Sequence, residues 1–232
     1  HHDDGPVGHP DRTEVGVIPE RVRRAHAASS DRRERGAGLV EFAFIAMILL
    51  VLVASTFDYG FAWRSGLAVN ESARAGARVG SGQSVSPGAD YYALNSLRAS
   101  LVASGVVDQV SKVVIFKSTT ADGRVPSSCL QASPSGTCNV LTGAQLKALT
   151  ASSYDLTISA NPSVAPTGTG CLKTSAAQRV GWCPNARSNN QDTGADYYGV
   201  YIESAYPRKF GAFGSSITVT RTAVMRLEPV GF

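Results

Sequence analysis

The chain has 232 residues, with 22 Lys and Arg against 18 Asp and Glu, and a formal net charge of +4. That length suits one modest folded domain with appendages. Charged residues make up 17 %, below a typical soluble domain, and no basic cluster occurs beyond residue 36, which argues against a nucleic-acid partner.

Residues 1–35 are polar, carry Pro and Gly, and show no apolar periodicity. They read as a disordered leader. Six arginines (21, 23, 24, 32, 33 and 35) lie close to the apolar run that follows, against only Asp31 and Glu34. The positive-inside bias predicts a cytoplasmic leader, with everything after Asp58 outside. From Phe42 to Phe57 there is no charged, Gly, Pro or Asn residue. Leu39–Phe57 is close to the ~17–20 residues needed to cross a bilayer. One carboxylate, Glu41, stands at the mouth of this run, and a charge at the edge of hydrocarbon is costly and usually functional or paired.

The helical reading continues to Gly80, about 65 Å at the usual rise per residue. That is about twice the hydrocarbon thickness, so the second half leaves the membrane. Asp58-Tyr59 and Phe61–Trp63 mark the outer interface, where aromatic rings favour the headgroup zone. Beyond them Phe57, Phe61, Ala68, Ala75 and Val79 form one stripe at helical spacing. Small residues (Gly60, Gly66, Ala73, Gly76, Ala77) permit close approach of another helix or a sheet.

Two stretches carry a family resemblance. One is Gly36, four residues, then Glu41-Phe42; the other is Asn70-Glu71-Ser72-Ala73-Arg74-Ala75-Gly76-Ala77-Arg78. Together they resemble the TadE-like pseudopilins of the tight-adherence (Flp-type) pilus system. The resemblance implies cleavage by a membrane prepilin peptidase between Gly36 and Ala37, which makes Glu41 the fifth mature residue and Phe42 the sixth. A cut after Gly38 would make Glu41 third and is rejected. The resemblance further implies pairing of Glu41 with the new N-terminal amine. Its implied partners are the prepilin peptidase, the major Flp pilin, other pseudopilins, the inner-membrane assembly platform and membrane lipid. It also implies a single-pass protein of the cytoplasmic membrane with its C-terminal domain extracytoplasmic. The pairing is physically sensible, because a helix N-terminus is positive and Glu41 lies one turn from the Ala37 ammonium.

After a loop at 81–88, Asp90 reads as the N-cap of a second helix that runs through Val102, with Gly105 as its C′ residue. Val107–Lys117 alternates as a strand, and Asp122-Gly123 turns the chain. A short helix from Gly143 to Leu149 follows Thr142. Tyr154–Ala160, Tyr197–Ala205 and Ile217–Leu227 read as further strands. Residues 161–196 form a long loop rich in Pro, Gly, Ser, Thr and Asn, with Trp182 in it. Arg221 interrupts the apolar face of the last strand. The fold class is therefore α+β. A long N-terminal transmembrane helix (37–80, spanning 39–57) precedes a domain over 81–232 with an antiparallel sheet of about four strands and one or two short helices. The type IV pilin-like packing of helix on sheet is implied by the resemblance.

Cys129, Cys138, Cys171 and Cys183 all fall on the expected outer side, where an even count reads as disulfides. Sequence-near pairing, Cys129 with Cys138 and Cys171 with Cys183, is the expectation among three connectivities. The spacings lack C-x-x-C, which disfavours zinc. All four histidines (1, 2, 9 and 26) lie in the leader. A chain cut at Gly36 has none, which removes Ser-His-Asp, Cys-His and His-ligated metal chemistry. Asp155, Asp192, Asp196 and Glu203 stand on separate segments without a motif, so a carboxylate-pair enzyme is disfavoured. The expectation is a structural protein without enzymatic activity, cofactor or metal. The alternative is a secreted or anchored binding domain with a conventional signal, cut near Val53-Ala54-Ser55 to leave Thr56 first.

Overall fold

Four strands, β1 (Val110–Ser118), β2 (Cys138–Thr142), β3 (Tyr197–Pro207) and β4 (Ser216–Arg226), pair antiparallel in the order β2-β1-β3-β4. The computed structural model describes residues 20–173, 181–190, 192, 194–211 and 214–229, with side chains from residue 36 onward. Among these the helices are α1 (Glu20–Gln83), α2 (Ala89–Ala103), α3 (Ser127–Leu130) and α4 (Gly143–Ala148). The class is α+β, as the alternation and helical spacing predict. The chain divides into two units, His1–Val53 and Ala54–Phe232.

In the first unit the backbone is helical from Glu20, whereas the sequence reading predicts disorder before Ala37. The segment 20–36 is rich in Arg, Ala and Glu, which are strong helix formers, and lacks Pro. Residues 1–19 lie outside the described residues.

The second unit is built on the C-terminal half of α1. Its buried positions there are Asp58, Ala62, Ser65, Gly66, Val69, Ser72, Ala73, Gly76, Ala77, Gly80 and Ser81. They recur at steps of three and four with adjacent pairs, the pattern of one wide helical face. The stripe read from bulky residues is not that face. Phe57 and Phe61 are exposed, and Ala68, Ala75 and Val79 are only half-buried. Close packing selects for small side chains here. A Cβ on Gly76 would lie 3.1 Å from Leu97 Cβ on α2, and one on Gly66 would lie 3.0 Å from the Arg221 guanidinium on β4. One on Gly80 would lie 2.2 Å from the Tyr198 ring on β3. Arg221 thus stays on the helix-facing side of the sheet, opposite Ile202, over the gap that Gly66 leaves. Ser72 bonds across to Ser100 of α2 at 2.9 Å, and Ser65 to Gln109 at 2.8 Å.

Strand alternation sorts the core into two layers. Val113, Ile115, Leu141, Tyr198, Val200, Ile202 and Ala223 join Val69, Ala73 and Ala77 of α1 and Leu94, Leu97 and Leu101 of α2. Val114, Phe116, Val140 and Tyr201 form a smaller cluster with Cys129 and Cys138 on the other face. Gly199 pairs with Phe116, whose ring occupies the space a side chain at 199 would need.

Several boundaries differ from the sequence expectation. Residues Val107–Gln109 form a 3-10 turn, and β1 starts at Val110. The expected strand Tyr154–Ala160 is absent; that stretch makes only isolated bridges, Tyr154 to Leu172 and Thr157 to Thr167. The fourth strand is Cys138–Thr142 instead, a five-residue run too short to announce itself by periodicity. Helix α4 starts behind Thr142 as expected, with a reciprocal capping box between Thr142 and Gln145. Gly105 is the C′ residue of α2 as expected, at φ +71°; the Gly105 and Val106 amides bond back to Val102 and Leu101, a Schellman closure.

Asp90 is not the N-cap of α2. That position is Gly88, and Asp90 lies inside the first turn and is buried. The Arg187 Nη2 donates to both Asp90 oxygens, at 2.7 and 2.8 Å, and the Tyr198 hydroxyl donates to Oδ1 at 3.0 Å. Arg187 also stacks over the Trp182 ring, 4.2 Å from its centroid, and donates to the Trp182 carbonyl. Burial, reinforced by the Asp90 charge, pushes the Tyr198 hydroxyl well above its usual pKa. This cluster fastens the long loop to the first turn of α2 and to β3.

Two outcomes test this packing by chemical denaturation of the protein in detergent. Gly80→Ala lowers stability by about 1–3 kcal/mol through overpacking against Tyr198, whereas Gly60→Ala, whose new Cβ meets nothing within 4 Å, gains up to ~1 kcal/mol of helix propensity. Arg187→Met strands a buried carboxylate and costs about 3–5 kcal/mol, and adding Asp90→Leu to it restores part of the loss.

Candidate functional site

The expected processing and assembly residues all lie on α1. Gly36, Ala37, Glu41 and Phe42 are exposed, and a Cβ added at Gly36 or Gly38 meets nothing within 4 Å. Glycine inside a helix costs roughly 1 kcal/mol relative to alanine. The fold therefore gives no packing reason for glycine at 36 or 38.

Beyond Glu41 the helix presents Phe42, Phe44, Ile45, Met47, Ile48, Leu49, Leu50 and Leu52, each at least half exposed. Exposed apolar surface of this extent has no stable place in water. The segment Gly36–Gln83 contains a window long and apolar enough to cross a membrane, and none of that window is buried. A hydrocarbon environment satisfies both facts at once, since a helix closes its own backbone hydrogen bonds.

The first charged residue after the run, Asp58, is only 2 % exposed. It accepts from the Lys209 amide at 2.8 Å and from the Phe210 amide at 3.3 Å, in the connection between β3 and β4. Burial, and then the Asp58 charge, raise the Tyr206 hydroxyl pKa. Sequence reasoning placed Asp58 at the interface but missed this tie, because its partners are backbone amides that no motif announces.

Both sequence-near cysteine pairs close. Cys129–Cys138 joins α3 to the start of β2, and Cys171–Cys183 closes the long loop beside Trp182. Loops of this size contribute roughly 3 kcal/mol each in the chain-entropy picture.

The four scattered acids each have separate neighbours. Thr169 donates to Asp155 at 2.6 Å, and this hydrogen bond holds the Asp155 carboxyl below its usual pKa. Asp196 takes Lys117 at 2.7 Å and the Ser188 amide. Glu203 accepts from Ser111 and Tyr201. Asp192 is exposed, and its amide bonds to the Asn190 side chain.

No curated protein and no solved structure matches the chain. A family model does: residues 36–78 match the TadE-like proteins. The matched segment begins at Gly36, contains Glu41 and Phe42, runs through the apolar stretch and Asp58, and ends within the small-residue face. The match supports involvement in Tad-type pilus systems and, with the apolar helix, a membrane location. Residues 36–78 of the chain are thus similar to the TadE-like proteins.

Proposed function

We propose that the protein is a pseudopilin, or minor pilin, that takes part in assembling a tight-adherence pilus through its N-terminal helix and has no enzymatic activity. The observation that carries this reading is the TadE-like match, which opens on Gly36 and takes in Glu41 at the mouth of an exposed apolar helix. A prepilin peptidase removes residues 1–36 as a leader and frees the Ala37 amine. A glycine that the packing does not require fits a residue read by a protease instead. Residues 37–80 are the assembly helix and 81–232 the extracytoplasmic domain.

Glu41 then has a chemical task. It lies four residues from the new ammonium, one helical turn away and on the same side. A carboxylate entering hydrocarbon costs a few kcal/mol on insertion scales unless a partner neutralises it. Its own Ala37 ammonium, or that of a neighbouring subunit, supplies the charge. Pairing between subunits, with the major pilin or another pseudopilin, turns this cost into a preference for assembly. The arginines ahead of the run hold the N-terminus inside until the cut.

N-terminal sequencing of the membrane-extracted protein from cells with a working prepilin peptidase gives Ala37 first. Thr56 first would replace this reading with a conventional secretory signal, and an intact leader would remove the pilin reading. Gly36→Leu abolishes the cut. Glu41→Ala leaves cleavage and membrane insertion intact but lowers recovery with other pilin subunits at least tenfold by co-purification; unchanged recovery would refute the pairing role.

A further inference from the structure

The tie between Asp58 and the β3–β4 connection has no use in the reading above, and it lies entirely within the second unit. A carboxylate that is 2 % exposed loses most of its hydration, and here two backbone amides replace it. The amides belong to Lys209 and Phe210, whose side chains remain exposed; Phe210 is 57 % exposed. The bond thus fixes the backbone at 209–210 against α1 while leaving a phenylalanine and a lysine turned to the surroundings.

The helix beside this tie is aromatic. At about 100° per residue, Phe57 and Phe61 fall to one side of Asp58, and Tyr59 and Trp63 to the other. All four are exposed, at 54, 46, 65 and 68 %. Phe210 adds a fifth ring from a different element, next to a cation. Rings of this kind, together with lysine, are the residues that settle at the boundary between hydrocarbon and headgroups. Asp58 is also the first charged residue after the apolar run, so the tie sits at the level where a span ending at Phe57 meets the headgroups.

We propose that Lys209 and Phe210 form a second membrane contact, held by Asp58 at the bilayer surface, with Phe210 among the acyl-headgroup boundary and Lys209 on anionic headgroups. This rests on the reading of residues 39–57 as a membrane span. A helix alone fixes a span but leaves the attached domain free to rotate about the helix axis. A second contact off that axis fixes which side of the domain faces the membrane.

The test uses photo-crosslinking of the full chain reconstituted in phosphatidylethanolamine–phosphatidylglycerol vesicles. p-Benzoyl-phenylalanine replaces Phe210 in one protein and Leu49, within the apolar run, in another. Lipid adducts at both positions are expected, detected by mass. The yield at 210, but not at 49, is expected to fall at least threefold when Lys209→Glu is added or when phosphatidylcholine replaces the anionic lipid. Lipid adducts at 49 with only water quenching or protein adducts at 210 would overturn the second contact and leave the span standing; protein adducts would assign the surface to another subunit. No lipid adduct at 49 would overturn the span and the contact together. Because the label at 210 replaces an exposed side chain, its result does not depend on a destabilised variant.

Discussion

The closeness of α1 to the sheet and to α2 is the constraint on which the rest of the second unit depends. Glycine at 66, 76 and 80 leaves no side chain where Arg221, Leu97 and Tyr198 already stand. Serines at 65 and 72 make the remaining approach by hydrogen bond. Such a face removes little apolar area from water per residue, because alanine, serine and glycine have little to remove. The larger contribution comes from what the small residues admit: Leu94, Leu97, Leu101, Tyr198 and Ile202 are almost fully buried beneath them.

That trade shapes where stability comes from elsewhere. From Thr119 to Asp196 the regular structure among the described residues is limited to short pieces, a four-residue and a six-residue helix, one five-residue strand and 3-10 turns. Stretches of this kind bury too little to order themselves by apolar area alone. Here they are held by covalent and polar staples: Cys129–Cys138 under the small cluster on the outer face, Cys171–Cys183 in the long loop, and Arg187 on Asp90. A buried ion pair is a poor source of net stability but a strong penalty on any arrangement that separates it. Its role in this loop is to select one arrangement.

What was legible in the sequence follows the same physics. The apolar run of α1 and the elements α2, α4, β3 and β4 are legible because bulky residues at fixed spacing announce them, and the Gly105 and Thr142 termini because their chemistry is local. The buried face of α1 was not, because Phe57 and Phe61 outweigh Gly66 and Ser65 on any scale of side-chain hydrophobicity. The sign of their burial is opposite to what that scale implies. The small residues read as a packing surface, yet without the sheet nothing in the sequence ranks them above the bulky stripe. Strand β2 was missed because five residues carry too little periodicity, and Tyr154–Ala160 was overread because its alternation serves two bridges and not a ladder. Asp58 and Arg187 were missed for a shared reason: their partners lie 151 and 97 residues away in sequence.

The buried aspartate of α1, Asp58, also explains how one helix can serve two solvents. Before Asp58 the helix carries large apolar side chains all round and buries none of its apolar window; after it, only a stripe of small ones is buried and the outer side carries Arg64, Glu71, Arg74 and Arg78. A gradual change between these patterns would leave bulky apolar residues in water or polar ones in hydrocarbon for several turns. Asp58 makes the change within one residue, because its charge excludes the hydrocarbon while its backbone partners remove the need for water. The aromatic residues around it tolerate both sides of that boundary. The matched family segment covers both patterns and the acid between them, so the residues that distinguish the apolar half from the packing half belong to one sequence unit.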